Sequence, residues 1–229
     1  MNFDLMLIAA SLPKIAGGVV LTLKLLLTSL LIGTALGIGG ALMRISGSRL
    51  LAWPSFAYSY VFRGTPMLVQ LFIIYYGLSQ FEWLRSSLLW PVLREPFWCA
   101  VIALSLNCGA YSAEIFRAAI RGVDQGLHEA GRALGLTTRQ RFLHVTTPIA
   151  VRLALPAFGN EVIGLLKGTA LVSMIAMNDI TGVARTIVAK TFAPYEIFIA
   201  AAIVYLSLTW VIQHGIGLAE RRFNRYIKK

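Results

Sequence analysis

Three charged residues interrupt long apolar stretches of this 229-residue sequence: Arg63, Glu161 and Lys167. An ionisable side chain is costly inside a membrane, so such residues usually face the protein interior or a water-filled cavity and take part in function. A carboxylate facing a cavity can bind the cationic part of a solute. The alternative is that Glu161 pairs with a basic residue such as Arg63 and contributes only to packing.

Glu161 and Lys167 cannot form a good pair with each other, because a separation of six residues displaces them by about 120° around a helix. Counted at about 1.5 Å per residue from the start of their span, both lie inside a hydrocarbon core about 30 Å thick. Each therefore needs a different partner. We take Glu161 and Lys167 as candidate solute contacts.

A second candidate site is the longest polar stretch of the chain, residues 124–148. An aspartate can cap a first helix there, and Gly135 stands where a glycine typically ends one. Thr137 followed by Gln140 has the capping-box pattern that begins a second helix. Pro148 predicts the end of that second helix.

Basic residues crowd this segment, among them Arg132, Arg139 and Arg141. A compact, basic helix pair with an apolar side, placed between membrane spans, is suited to docking against another protein. The alternative is a solvated loop that only connects two spans.

No complete catalytic or metal-binding motif is present. His128 and Glu129 begin an H-E-x-x-H pattern, but the fifth position is Arg132, so a zinc site is not predicted. The sequence has no G-x-S-x-G and no phosphate-binding G-x-x-x-x-G-K-[ST] loop. We therefore predict no enzyme activity, no metal and no cofactor. If nucleotide energy is used, another chain must bind the nucleotide.

The composition predicts an all-α, polytopic bundle in a membrane. The chain is 57% hydrophobic and 14% charged, with a mean hydropathy of +0.71. Several apolar runs exceed the ~20 residues that cross a bilayer. We predict a single transmembrane domain over residues 1–229. Its five spans lie at about 17–43, 53–80, 96–118, 155–178 and 196–218.

Local patterns add detail to these spans. Pro66 predicts a kink in the second span, since it cannot donate a hydrogen bond to Phe62. Glu114 and Arg117 are three residues apart and predict an ion pair on one helix face. Residues 1–16 are expected to form a short amphipathic lead-in ended by a proline, and residues 178–195 a polar connector. Close helix packing is expected at Gly33, Gly37 and Gly40.

The net charge of +11 is explained by topology rather than by nucleic-acid binding. Thirteen Lys and Arg residues fall at positions 44–49, 117–152 and 221–229 on one side of the five spans, against five on the other side. The positive-inside rule then places the N-terminus outside and the C-terminus in the cytoplasm. The polar segment is therefore also predicted to be cytoplasmic.

Four stretches of the sequence follow a recognisable pattern. In the first, E-A-A-x(3)-G-x(9)-I-x-L-P, the matching residues are Glu129, Ala130, Gly135 and Pro148, and Gly131 replaces the second alanine. The others are F-R-G-T-P at residues 62–66 with Gln70, A-Y-S-A-E-I-F-R at residues 110–117, and Asn160 with Lys167, Thr169 and Leu171. Together they resemble the polar-amino-acid group of bacterial ABC-transporter permeases, particularly the histidine, arginine and opine (octopine or nopaline) uptake permeases.

The resemblance implies a mechanism and a set of partners. Two permease chains, identical or paralogous, would form the pathway in the bacterial inner membrane. Two cytoplasmic ATPase subunits would each receive one polar helix pair, and an extracytoplasmic binding protein would deliver the solute. The residues implied in the ATPase contact are Glu129, Ala130, Gly131, Arg132, Gly135 and Arg139. Those implied in the solute pathway are Arg63, Thr65, Gln70, Asn160, Glu161 and Lys167.

The position of Glu161 resembles the members that carry cationic amino acids and opines. The resemblance therefore implies a solute with a guanidinium, imidazolium or ammonium group. Two alternatives remain at this point: a permease of the same architecture for another solute, such as methionine or a metal chelate, and a stand-alone channel or secondary carrier.

Overall fold

The computed structural model describes residues 4–223, and every regular element in that range is helical. The helices are α1 (Leu5–Ala16), α2 (Val19–Ile45), α3 (Arg49–Gly64), α4 (Met67–Phe72), α5 (Glu82–Arg85), α6 (Trp90–Leu93), α7 (Pro96–Arg121), α8 (Gln125–Ala133), α9 (Thr138–Arg141), α10 (Thr147–Gly168), α11 (Ile180–Thr191) and α12 (Pro194–Phe223). Helix α4 continues through a π-helical turn and a 3₁₀ turn to Gln80, α9 continues through the π-helical turn Phe142–Thr146 into α10, and α10 continues as a 3₁₀ turn to Ile175.

Four of these helical stretches are long and apolar enough to cross a membrane: Val19–Ile45, Pro96–Arg121, Thr138–Ile175 and Pro194–Phe223. A fifth span is formed if Arg49–Gly64 and Met67–Gln80 are taken together, although the two halves are bent by 106°. The predicted all-α bundle is confirmed. Of the basic tail counted above, residues 225, 228 and 229 lie outside the described residues.

Helix α7 is the centre of the bundle. In its apolar 18-residue segment 61% is buried inside the protein, whereas the corresponding segments of the other three long helices are 22–33% buried. Helix α2 lies against it along a line of glycines, where a Cβ built on Gly33 would come within 2.9 Å of Cys108 Cβ, and one built on Gly40 within 3.0 Å of Ala113 Cβ. The prediction of close packing at these glycines is confirmed.

The predicted end of the lead-in at Pro13 is wrong, because α1 continues through Pro13 to Ala16. A proline near the end of a helix removes only one hydrogen bond, and this helix gains packing that offsets the loss. Ile8 and Ile15 are buried in a cluster with α11 and α12, to which α1 contributes its apolar face.

The predicted end of the second polar helix at Pro148 is also wrong. Pro148 lies in the first turn of α10, and the helix passes through it without interruption from Thr138 to Ile175. A π-helical turn, Phe142–Thr146, comes directly before this first turn of α10. The Thr147 hydroxyl donates to the carbonyl of Phe142 at 2.8 Å, which satisfies a backbone group in that wider turn.

The predicted polar connector at residues 178–195 contains a helix, α11, and this prediction is corrected as well. Asp179 caps α11, accepting hydrogen bonds from the N–H groups of Gly182 at 2.9 Å and Thr181 at 3.1 Å. Burial raises the pKa of the Asp179 carboxyl, while these N–H groups and the hydroxyl of Tyr205 act in the opposite direction. Helix α11 buries an apolar face that includes Ile180 and packs on α1 and α12.

Candidate functional site

The second span is broken into two helices rather than kinked. Helix α3 ends at Gly64, Thr65 and Pro66 are extended, and α4 starts at Met67. The break leaves carbonyl groups at the end of α3 without their helical partners. In a membrane such groups must be satisfied within the protein.

Gln70 satisfies them from the far side of the break. It is 6% exposed, and its Nε2 donates to the carbonyl of Phe62 at 2.8 Å and to the carbonyl and hydroxyl of Thr65 at 3.0 and 2.7 Å. The Thr65 hydroxyl in turn donates to the carbonyl of Val61 at 2.8 Å. Thr65 and Gln70, two candidate pathway residues, therefore hold the shape of the break.

Asn107 of α7 ties this break to the centre of the bundle. Its Nδ2 donates to the carbonyl of Phe62 and to Oε1 of Gln70, both at 3.1 Å. The sequence analysis gave Asn107 no role. The signal that could have identified it is an amide side chain in the middle of an apolar helix, which requires a buried partner.

Near this break, Arg63 and Glu161 are close enough for their charges to interact. The Arg63 guanidinium lies 5.3 Å from the ring centroid of Tyr111, in a cation–π arrangement. Its charge attracts the half-buried carboxylate of Glu161, which also lies beside the thiol of Cys108. Within residues 4–223 the ion pairs closer than 4.0 Å involve other residues, so Arg63 and Glu161 interact across a longer gap.

The remaining candidate solute contacts lie on the exposed face of α10. Asn160 and Lys167 are exposed, and with Gly164 they form a stripe spaced four and three residues apart. Glu161 lies beside this stripe and is partly covered by α7. The structure thus brings Arg63, Thr65, Gln70 and Glu161 to one region and leaves Lys167 about 9 Å further along α10.

The predicted pair of polar helices is present as α8 and α9. The first helix is capped by Asp124, whose carboxylate accepts from the N–H of Gly126 at 2.7 Å. The capping box of the second is formed, with the N–H of Thr137 donating to Oε1 of Gln140 at 2.9 Å and the N–H of Gln140 donating to the Thr137 hydroxyl at 3.3 Å.

Gly135 makes the turn between the two helices, as predicted. Its φ of +73° lies in the left-handed region that favours glycine. Its N–H donates to the carbonyl of Arg132 at 2.9 Å, and the N–H of Leu136 donates to the carbonyl of Gly131 at 3.0 Å. These two bonds are those of a Schellman motif, which fixes the angle between α8 and α9.

Gly131 is buried where α8 meets the next helix. A Cβ built there would lie 3.1 Å from Cγ of Arg141, so glycine lets the arginine stem pack against α8. The exposed surface of the pair carries Glu129, Ala130, Arg132 and Arg139, and the side chain of Leu134 is 79% exposed beside them.

Two cavities show where open space lies in this chain. The smaller, about 180 Å³, is at the polar helix pair and is lined by His128, Arg132, Thr138, Arg141, Phe142 and Thr146. The larger, about 440 Å³, lies between α2, α7 and α10 and is lined by apolar residues such as Phe116, Ala150 and Phe158. Neither of these two cavities is lined by Glu161.

A separate cluster of charges binds α2 to α7. Glu114 accepts from Nη1 of Arg44 at 2.9 Å and from Nη2 of Arg117 at 2.6 Å. The Arg44 guanidinium also lies 5.0 Å from the ring centroid of Phe56. The predicted pair of Glu114 and Arg117 is confirmed, and Arg44 joins it from a helix 70 residues away.

Comparison with known proteins decides the family. Residues 33–225 match the family described as binding-protein-dependent transport system inner membrane component. The chain belongs to this family. It is therefore a multi-pass inner-membrane permease rather than an enzyme, and it works with a solute-binding protein and partner ATPases as separate subunits.

The relatives cover nearly the whole permease. It is 43% identical to a nopaline transport system permease protein of Agrobacterium fabrum, over 98% of this chain and 94% of the relative. It is 43% identical to an octopine transport system permease protein of Rhizobium meliloti, over 96% of this chain and 90% of the relative. It is 39% identical to a histidine/lysine/arginine/ornithine transport system permease protein of Escherichia coli, over 92% of this chain and 89% of the relative.

A solved structure agrees with the fold. A crystal structure of an amino acid ABC transporter with histidines is 37% identical and has a TM-score of 0.85, covering 97% of this chain and 100% of that chain. An inward-facing methionine ABC transporter shares the fold at 19% identity, with a TM-score of 0.71 over 91% and 95% of the two chains. The permease resemblance inferred from the sequence is confirmed.

Proposed function

We propose that this permease carries polar, cationic amino acids or opines, and that Glu161 binds the cationic group of the solute. The observation that carries the proposal is a half-buried carboxylate on a spanning helix, beside a broken span and without an ion pair closer than 4.0 Å to any residue among 4–223. The printed functions of the relatives, nopaline, octopine and histidine/lysine/arginine/ornithine transport, support the same solute class.

The surrounding charges suit a solute that is a zwitterion with an additional positive group. Glu161 attracts the guanidinium, imidazolium or ammonium group. Arg63 on one side and Lys167 about 9 Å along α10 on the other attract carboxylates. Thr65 and Gln70 keep the broken span open beside them through the hydrogen bonds described above.

The pathway itself is proposed to form between this chain and a second permease chain, identical or paralogous. The stripe of Asn160, Gly164 and Lys167 is exposed on a spanning helix, and two of its three residues are polar. Polar side chains at membrane depth usually face the bundle interior or a water-filled cavity rather than lipid. A second chain opposite this stripe would enclose that cavity.

Coupling to ATP hydrolysis is proposed to occur at α8 and α9. Their turn is fixed by Gly135, and their exposed surface offers Glu129 and Leu134 to an ATPase groove, with Ala130, Gly131, Arg132 and Arg139 shaping the same contact. Because α9 is continuous with α10, movement of an ATPase subunit would pass directly to the helix that carries Glu161. Alternating access between inward-open and outward-open states follows, with the N-terminus outside and the C-terminus cytoplasmic.

The substitution Glu161→Gln tests the solute assignment. The complex, purified with its native partners and placed in proteoliposomes, would be assayed for uptake of L-arginine and of L-citrulline, a neutral analogue of the same shape. We expect arginine uptake to fall about tenfold or more, as for loss of one charge-assisted contact, with citrulline uptake and subunit assembly unchanged.

Several outcomes would contradict the proposal. Equal loss of uptake for both solutes, or loss of assembly, would make Glu161 a packing residue. Uptake of methionine but not of arginine by the unmodified complex would favour a permease of the same architecture for another solute. Uphill uptake without any ATPase would favour a stand-alone carrier.

A further inference from the structure

The least expected feature of the pathway region is the hydrogen-bonded junction between α7 and the broken span. The carbonyl of Phe62 receives two side-chain amides, from Gln70 at 2.8 Å and from Asn107 at 3.1 Å. The two amides are also bonded to each other, through Asn107 Nδ2 and Gln70 Oε1 at 3.1 Å. Two side-chain amides, one from α4 and one from α7, therefore meet at one backbone carbonyl of α3, immediately before Arg63.

The same face of α7 also determines where Arg63 points. Tyr111 is four residues after Asn107, which places both on one face of the helix, one turn apart. Asn107 holds the backbone at Phe62, and the ring of Tyr111 receives the guanidinium of Arg63 at 5.3 Å. Cys108, adjacent to Asn107, lies beside the carboxylate of Glu161. One turn of α7 therefore contacts Arg63 and lies beside Glu161.

We propose that Asn107, with Gln70, is a positioning residue for solute selectivity: it holds Arg63 against Tyr111 and so prevents Arg63 from occupying Glu161. This inference rests on the proposed role of Glu161. Arg63 carries the same guanidinium group as an arginine solute, and its charge already acts on Glu161. Freed from its anchor, it would pair directly with the carboxylate and compete with the cationic solute.

The arrangement is most rigid at Gln70, which is buried, whereas Phe62 and Asn107 are half-buried and Arg63 is exposed. Gln70 is 6% exposed and Leu71 beside it is 1% exposed, so neither side chain has space to move without disturbing the core. A buried polar network in which every member is bonded is specific, because any other arrangement leaves a donor or acceptor unpaired. The angle of the broken span is therefore fixed by side chains as well as by Pro66.

The substitution Asn107→Ala tests the inference. It removes one donor and leaves the bond from Gln70 to Phe62 in place, so the fold is retained. In proteoliposomes we expect the KM for L-arginine to rise about tenfold relative to that for L-citrulline, within the range usual for coupling between sites. In an Arg63→Met background the same substitution should change the ratio of the two KM values no further.

A matched control distinguishes positioning from general loosening. Tyr58→Phe removes another bond between α3 and α7, from Tyr58 Oη to the carbonyl of Leu106 at 2.6 Å, and leaves both amides at the carbonyl of Phe62 in place. It should leave the ratio of KM values unchanged. Gln70→Glu, which removes the second donor, should shift the ratio in the same direction as Asn107→Ala.

The result that would overturn the inference is an unchanged arginine-to-citrulline ratio in an assembled Asn107→Ala complex. An equal shift in Tyr58→Phe, or a shift that persists without Arg63, would overturn it as well. Glu161→Gln, measured in parallel, separates this failure from failure of the proposed function. If Glu161→Gln abolishes the preference for arginine while Asn107→Ala does not alter it, the solute site stands and the positioning role falls.

Discussion

Two glutamates in the spanning helices, Glu114 and Glu161, show how the surroundings of a residue decide its role. Glu114 is held by guanidinium groups from two helices at 2.9 and 2.6 Å, so its charge is satisfied within the chain. Glu161 has one basic residue acting on it from beyond ion-pair distance. A carboxylate of the first kind stabilises the fold, whereas one of the second kind retains capacity to bind a ligand.

We predict that Glu114→Gln destabilises the protein, because it leaves two arginines without their counter-charge in a region where the side chains are 16–21% exposed. Breaking a buried ion pair costs about 3–5 kcal/mol, and partial exposure reduces this to about 1–3 kcal/mol here. The measurement is the thermal unfolding midpoint of the purified complex in detergent, which should fall.

The control for this prediction is Glu95→Gln. Glu95 pairs with Arg94 at 3.9 Å, and both side chains are more than half exposed. Exposed ion pairs contribute little to stability, so the unfolding midpoint of the Glu95→Gln variant should not change measurably. Equal midpoints for the two variants would show that the cluster of Arg44, Glu114 and Arg117 contributes no more than a surface pair.

At the scale of elements, the contact between α2 and α7 depends on the absence of side chains. A Cβ built on Gly37 would lie 2.5 Å from Cβ of Ser112 and 3.2 Å from backbone atoms of α7, closer than real Cβ contacts allow. Small residues that let backbones approach are the usual means of packing helices in a membrane. The glycine spacing therefore sets the distance between the two helices.

We predict that Gly37→Ala destabilises the protein by about 1–3 kcal/mol, the usual cost of overpacking, because Ser112 is fully buried and backbone atoms are also in the way. Gly39→Ala is the matched control. A Cβ there meets no atom within 4 Å, and alanine is the better helix former by about 1 kcal/mol. Thermal unfolding should show a lower midpoint for the first variant only, and a similar decrease for both would argue against a steric cause.

Structural features that depend on residues close together in the sequence were predicted, whereas features that depend on distant residues were predicted only in part. The capping box at Thr137, the left-handed turn at Gly135 and the glycine contacts of α2 follow from residues close together in the sequence, and all were predicted. Pro66 predicted a kink, but the 106° bend depends also on Asn107, which lies 45 residues from Phe62. The helix through Pro148 was missed because helix propensity does not anticipate the π-helical turn before it or the hydrogen bond from the Thr147 hydroxyl to the carbonyl of Phe142.

At the scale of the whole molecule, one continuous helix joins the second helix of the polar pair to three of the candidate solute contacts. The stretch Thr138–Ile175 begins at the polar helix pair and carries Asn160, Glu161 and Lys167 further along. A rigid helix transmits a displacement at one end to the other without the need for an intervening network. The proposed coupling of ATP hydrolysis to solute movement needs this continuity, which extends through Pro148, where a helix end is predicted from the sequence.

The last prediction concerns this coupling. Glu129→Lys reverses a charge on an exposed residue of α8 and leaves Gly135, the capping box and the buried contact at Gly131 intact. We expect membrane insertion to be normal, co-purification with the ATPase subunit to weaken and ATP-dependent uptake to be lost. The control is Glu82→Lys, the same reversal at an exposed residue of α5 that the proposed topology places outside the membrane. Because the outer side faces no ATPase, the Glu82→Lys variant should associate with the ATPase normally. If Glu129→Lys co-purifies and transports like the unmodified chain, the ATPase contact lies elsewhere, and if Glu82→Lys alone releases the ATPase, the proposed orientation is reversed.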